Sequence, residues 1–141
     1  MLFGKKQRLI NRLLVVEDEP LIAFDNERAL GEAGYEVVAT VDRYRDALAV
    51  IEAGPIDLIL SDVKLTGERT GVDLAKDVRP LGLKLLFLTA HCPADAPEFS
   101  IGCLAKPFAQ RDLIAALEAI DAAFSGKRPG RLPRGLSLFN L

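Results

Sequence analysis

The chain has 141 residues, half of them hydrophobic and 27% charged, which is enough apolar material for one globular core. A formal net charge of −2 offers no basic face for nucleic acid, and no apolar run reaches the ~20 residues needed to cross a bilayer. Cys92 and Cys103 match no common zinc spacing and are expected to be reduced thiols. The basic start, Met1–Arg8, lacks the apolar stretch of a signal peptide, so a cytoplasmic protein is expected.

Residues 1–11 read as a basic N-terminal extension. Strand one, Leu13-Leu14-Val15-Val16, runs into Glu17-Asp18-Glu19, and Pro20 suits the first turn of a helix. Leu21, Phe24, Leu30 and Ala33 are expected on one side of that helix, and Gly34 suits the position past its end. Tyr35–Thr40 reads as strand two. Asp42 is the expected cap of the second helix, with Ala47, Leu48 and Ile51 inward and Gly54-Pro55 as its stop. Strand three, Asp57–Asp62, closes on a carboxylate, and a polar loop Lys64–Thr70 leads to a third helix over Gly71–Val78. Lys84–Thr89 is strand four, Gly102–Ala105 strand five, and Asp112–Phe124 a last helix with Leu113, Ile114, Leu117, Ile120 and Phe124 on one stripe.

Alternating strands and helices predict a doubly wound, flavodoxin-like α/β fold: five parallel strands in the order 2-1-3-4-5. Between Thr89 and Lys106 the chain barely meets the ~10–12 residue minimum for a crossover unit. Pro93 and Pro97 interrupt that stretch, and a proline inside a helix costs ~3 kcal/mol. The helix expected there, the fourth of a regular fold, should be short or missing. The domain is expected to span 12–124. Residues 125–141 form a Pro/Gly/Arg linker and an apolar tail, whose Leu136, Leu138 and Phe139 either fray or cover surface that the short helix leaves open, in cis or on a second subunit. A homodimer through that tail or face is compatible with the sequence.

Ligands of a parallel sheet sit at the carboxyl ends of its strands. Glu17, Asp18, Asp62, Thr89 and Lys106 all stand at such ends and should meet in one crevice. An acidic cluster suits Mg²⁺, which prefers oxygen ligands and usually takes one or two carboxylates. A threonine hydroxyl and a lysine ammonium suit phosphoryl oxygens, so the set points to phosphoryl transfer onto a carboxylate.

These four strand ends, together with Leu104-Ala105-Lys106-Pro107-Phe108, resemble the receiver domain of bacterial two-component response regulators. The resemblance covers about Arg12 to Phe124. It implies that Asp62 is the phosphoacceptor and a metal ligand, that Asp18 binds Mg²⁺ directly and Glu17 through water, and that the Lys64 backbone carbonyl supplies another oxygen. Thr89 and Lys106 would contact the phosphoryl group, and the Lys106–Pro107 bond is often cis in such proteins. Lys64 and His91, each two residues past a site residue, would influence hydrolysis of the acyl phosphate. Where receivers commonly carry an aromatic residue three before the lysine, this chain has Cys103, read here as a small buried residue.

The implied role is a stand-alone receiver, not an enzyme except in its self-catalysed phosphorylation and dephosphorylation. It would take phosphoryl from a histidine kinase or histidine phosphotransfer protein and signal to an unknown protein by contact, with no nucleic acid or membrane partner. Alternatives are a phosphorylation-independent adaptor of the same shape and a Mg²⁺-dependent aspartyl-phosphate phosphohydrolase. Haloacid-dehalogenase hydrolases place a second Asp where this chain has Lys64, and a flavin-binding protein would not put Glu17-Asp18-Glu19 against a phosphate.

Overall fold

A computed structural model describes residues 8–139. The strands are β1 (Arg12–Val16), β2 (Glu36–Val41), β3 (Leu58–Ser61), β4 (Leu85–Thr89), β5 (Gly102–Ala105) and β6 (Leu136–Leu138). The helices are α1 (Pro20–Glu32), α2 (Tyr44–Ala53), α3 (Gly71–Val78) and α4 (Gln110–Phe124). Strand order is β2-β1-β3-β4-β5-β6, parallel throughout except for the antiparallel β5–β6 pair. The flavodoxin-like order is therefore present, but the sheet has six strands, not the expected five.

Both faces of the sheet are covered, so its central strands are apolar at every position rather than at alternate ones. Leu13, Val15, Leu58, Leu60, Leu86 and Leu88 pack toward α1 and α4, where they meet Leu30, Leu113, Leu117 and Ile120. The intervening Leu14, Val16, Ile59, Leu85 and Phe87 pack toward α2 and α3 against Ala47, Leu74, Ala75 and Val78. Thr70 opens α3 with a capping box, its hydroxyl accepting from the Asp73 amide while the Asp73 carboxylate accepts from the Thr70 amide.

Between β4 and β5 no α-helix forms. A single 3₁₀ turn, Ala96–Glu98, is all that the two prolines leave, and it buries Ala96 and Phe99 against the α3 face. The sixth strand compensates at the sheet edge. Leu136 is buried in the same cluster as Leu104, Leu138 packs beside it, and Phe139 lies against the opposite cluster. Of the two expectations for the tail, covering in cis is the one observed. Asn140, Leu141 and residues 1–7 of the expected N-terminal extension lie outside the described residues. Its remainder is anchored: Ile10 is a core residue, and the Leu9 and Ile10 amides both donate to Asp121 Oδ1.

Three local expectations need correction. Leu21 and Phe24 are 80% and 63% exposed, because α1 turns Ala23, Asn26, Ala29 and Leu30 to the sheet. Apolarity alone misassigned the buried face. Asp42 does not cap α2; Arg43 occupies that position without a side-chain cap, while the Asp42 carbonyl accepts from the Thr66 amide. Cys92 and Cys103 are joined as a disulfide rather than held as separate thiols. Without a helix in the connection, the loop folds back over β5 and brings their Cα atoms to 6.1 Å.

Candidate functional site at the strand ends

Backbone pairing of the strand ends builds the site. The Glu17 amide donates to the Val41 carbonyl at 2.8 Å, and the Asp62 amide to the Val16 carbonyl at 3.0 Å. Those two bonds fix where both carboxylates leave the sheet. At the other side the Lys106 amide donates to the Thr89 carbonyl at 3.0 Å, and the Lys106–Pro107 peptide is cis. Register also sets Val16 against Ser61 and Thr89 against Ala105, so the strands end level with one another.

The Lys106 ammonium bridges two carboxylates, 2.6 Å from Glu17 Oε1 and 3.0 Å from Asp62 Oδ2. The Glu17 side chain is 1% exposed, those of Lys106 and Asp62 16% each, so these charges meet with little water around them. Burial raises the Glu17 pKa above its ordinary value, more than the Lys106 hydrogen bond and charge lower it. For Lys106, burial works to lower the pKa, but the hydrogen bonds and charges of Glu17 and Asp62 outweigh it and the net direction is upward. Lys106 therefore stays a cation, and strain concentrates on the more deeply buried Glu17.

One carboxylate oxygen each from Glu17, Asp18 and Asp62 lie within 4.8 Å of one another. Three acidic groups facing one lysine leave excess negative charge, and the oxygen-only donor set suits a hard divalent cation. Among the described residues no hydrogen bond is donated to the Lys64 carbonyl, whereas the Val63 carbonyl accepts from Gly71 and that of Asp62 from Ser61 Oγ. The Lys64 carbonyl thus has an unused lone pair, and the Lys64 side chain is exposed.

Thr89 is buried at the end of β4, but its hydroxyl is turned onto its own loop. It accepts from the His91 amide at 3.3 Å and lies 3.4 Å from the His91 carbonyl. His91 itself is exposed. Glu17, Asp18, Asp62 and Lys106 are hence brought together, with Thr89 beside them and His91 outside.

Three residues support the site in ways that the sequence did not signal. Ser61 is fully buried, and its hydroxyl donates to the Asp62 carbonyl at 2.8 Å. Gly71 permits α3 to start against β3: a Cβ there would lie 1.9 Å from the Asp62 carbonyl oxygen. Cys92 ties the loop after Thr89 to β5. Only the Thr70–Asp73 spacing that precedes a helix offered a readable signal for this region.

Residues 13–118 match the response regulator receiver domain. The chain belongs to that family. This receiver is 34% identical over 119 residues to the transcriptional regulatory protein PdtaR of Mycobacterium tuberculosis, covering 80% of this chain and 58% of the relative. It is 29% identical to the response regulator PhyR of Brucella abortus, whose crystal structure superposes with a TM-score of 0.69 over 85% of this chain and 51% of that one. The chemotaxis protein CheY4 of Vibrio cholerae is 30% identical, with a TM-score of 0.69 over 77% of this chain and 97% of its own. The receiver spans about half the length of the curated relatives it matches. Among its described residues, no helix is long and apolar enough to cross a membrane.

Proposed function

We propose that this receiver catalyses its own phosphorylation on Asp62, using a small or protein-borne phosphoryl donor. The observation that carries the reading is the Lys106 ammonium shared between Glu17 and Asp62, beside a third carboxylate, Asp18. Glu17, Asp18, Asp62 and the Lys64 carbonyl would hold Mg²⁺. When bound, the cation neutralises the carboxylates and the oxygens of the incoming phosphoryl group. Asp62 attacks phosphorus through a carboxylate oxygen and the donor leaves with the bonding pair. Lys106 then exchanges a carboxylate partner for a phosphoryl oxygen, which keeps its charge paired. Thr89 supplies a hydroxyl donor once it leaves the His91 turn. Water releases inorganic phosphate and returns Asp62 to the free carboxylate, and the exposed His91 and Lys64 side chains modulate that step.

The donor is a histidine kinase or histidine phosphotransfer protein. Exposed Leu21 and Phe24 on α1 offer apolar contact for it, next to a cleft of about 380 Å³ between α1 and the Lys106–Phe108 turn. Output by protein contact in the cytoplasm follows from the same reading. Beryllofluoride binding in the presence of Mg²⁺ tests it. Saturable binding, lost with Asp62→Asn and with Lys106→Ala, is expected. Binding that persists in Asp62→Asn would place the acceptor elsewhere, and no binding in any form would favour the adaptor of the same shape.

A further inference from the structure

The disulfide lies between the two segments that carry the positive and hydroxyl donors of the site. Cys92 stands three residues after Thr89, and Cys103 three residues before Lys106. Pairing of β4 with β5 sets Cys103 opposite Phe87, and Cys103 is 4% exposed in the cluster that holds Phe87, Ala96 and Phe99. Cys92 is exposed. The bond thus joins a buried residue to an exposed one, and Cys92 is the side from which a thiolate would approach. It encloses a connection with no helix of its own, only the Ala96–Glu98 turn. The Thr89 hydroxyl is held by the His91 backbone, and the bond anchors the far end of the Thr89–Cys92 stretch to β5.

We propose that Cys92 and Cys103 form a reversible thiol–disulfide site, and that the closed bond holds the Thr89–Cys92 stretch in its folded-back turn and slows phosphoryl capture at Asp62. The effect on capture rests on the phosphoacceptor reading above; the site itself does not. The co-reactant is a dithiol. Its thiolate attacks Cys92 Sγ, the S–S bond breaks, and the electron pair leaves on Cys103 Sγ, which takes up a proton. The second thiol then displaces Cys92, so the protein gains two electrons and two protons and the reductant leaves as a disulfide.

The test uses the full chain, oxidised with glutathione disulfide or reduced with dithiothreitol, beside Cys92→Ser. Treatment of the native protein, then quenching, alkylation in denaturant and intact mass, should add two groups to the reduced form and none to the oxidised form. A bond that does not form, or that opens only on unfolding, overturns the site. Amide hydrogen exchange over residues 90–101 should be at least about fivefold faster in the reduced form, and Cys92→Ser should match it under both conditions. Equal exchange overturns the tether. Modification by acetyl phosphate should likewise quicken about fivefold or more on reduction, and equal rates overturn the coupling. If neither redox state nor Cys92→Ser gains a phosphoryl group or binds beryllofluoride, the Asp62 reading has failed, and the thiol–disulfide site stands or falls on alkylation and exchange.

Discussion

Replacing Gly71 by alanine perturbs Asp62, the proposed phosphoacceptor, without touching its side chain. The added Cβ would sit 1.9 Å from the Asp62 carbonyl oxygen, 2.9 Å from the carbonyl carbon and 3.1 Å from Ser61 Oγ. Cβ contacts below 3.0 Å are not tolerated, so α3 and the end of β3 must part by at least about 1.1 Å. That movement stretches the 2.7 Å hydrogen bond from the Gly71 amide to the Val63 carbonyl. Overpacking of this kind costs about 1–3 kcal/mol. For a chain of this length the loss corresponds to a fall in Tm of roughly 3–10 °C. A shift of about 1 Å at the attacking group is worth on the order of 100-fold in rate, so modification by acetyl phosphate should slow by about that factor. Gly31→Ala is the matched control, since its Cβ would meet nothing within 4 Å on the exposed side of α1. It should raise stability by about 0.5–1 kcal/mol and leave the rate unchanged. Gly71→Ala with wild-type Tm and wild-type rate would refute the placement of α3 against Asp62.

Truncation after Ser125 removes the sixth strand and uncovers the β5 edge. Loss of Leu136 burial alone is worth about 2 kcal/mol, so Tm should fall by several degrees in a thermal melt; an unchanged midpoint would mean that the tail does not pack in solution. Glu17→Gln should raise Tm in the absence of divalent cations. Folding raises the Glu17 pKa above 4.5, so its ionised form costs stability above the folded-state pKa, and the cost disappears as pH falls through it. The gain from Glu17→Gln should therefore be present at pH 7 and absent below pH 4.5, and a melt series showing a loss at pH 7 would contradict it. His91→Ala should change the lifetime of the phosphorylated protein, followed by loss of the mass adduct, but not the amount of phosphoryl accepted. Loss of acceptance would put the imidazole inside the chemistry, against its exposed position.

Much of the fold was legible because buried parallel strands are apolar at every position and here end on polar residues. Glu17, Asp18, Asp62 and Lys106 converge as that pattern implies, because register levels the strand ends. What escaped were features set by tertiary packing. The buried face of α1 carries Ala23 and Asn26 while Leu21 and Phe24 face outward, and composition cannot orient a helix with apolar residues on both sides. Two prolines correctly removed the helix between β4 and β5. The path of the resulting loop, and with it the Cys92–Cys103 bond, depends on where the chain folds back over β5. Leu136-Ser137-Leu138 alternates apolar and polar residues, but its antiparallel seat on β5 depends on an edge that only the folded sheet exposes. Gly71 illustrates the same limit: its lack of a Cβ matters only because Asp62 lies directly beneath it.

Intact mass after incubation with acetyl phosphate and Mg²⁺, comparing wild type with Asp62→Asn, tests phosphoryl transfer most directly. One phosphoryl group on the wild type and none on the variant is the predicted result. An adduct of equal size on both proteins, or none on a wild type that also fails to bind beryllofluoride, would contradict the assignment of Asp62.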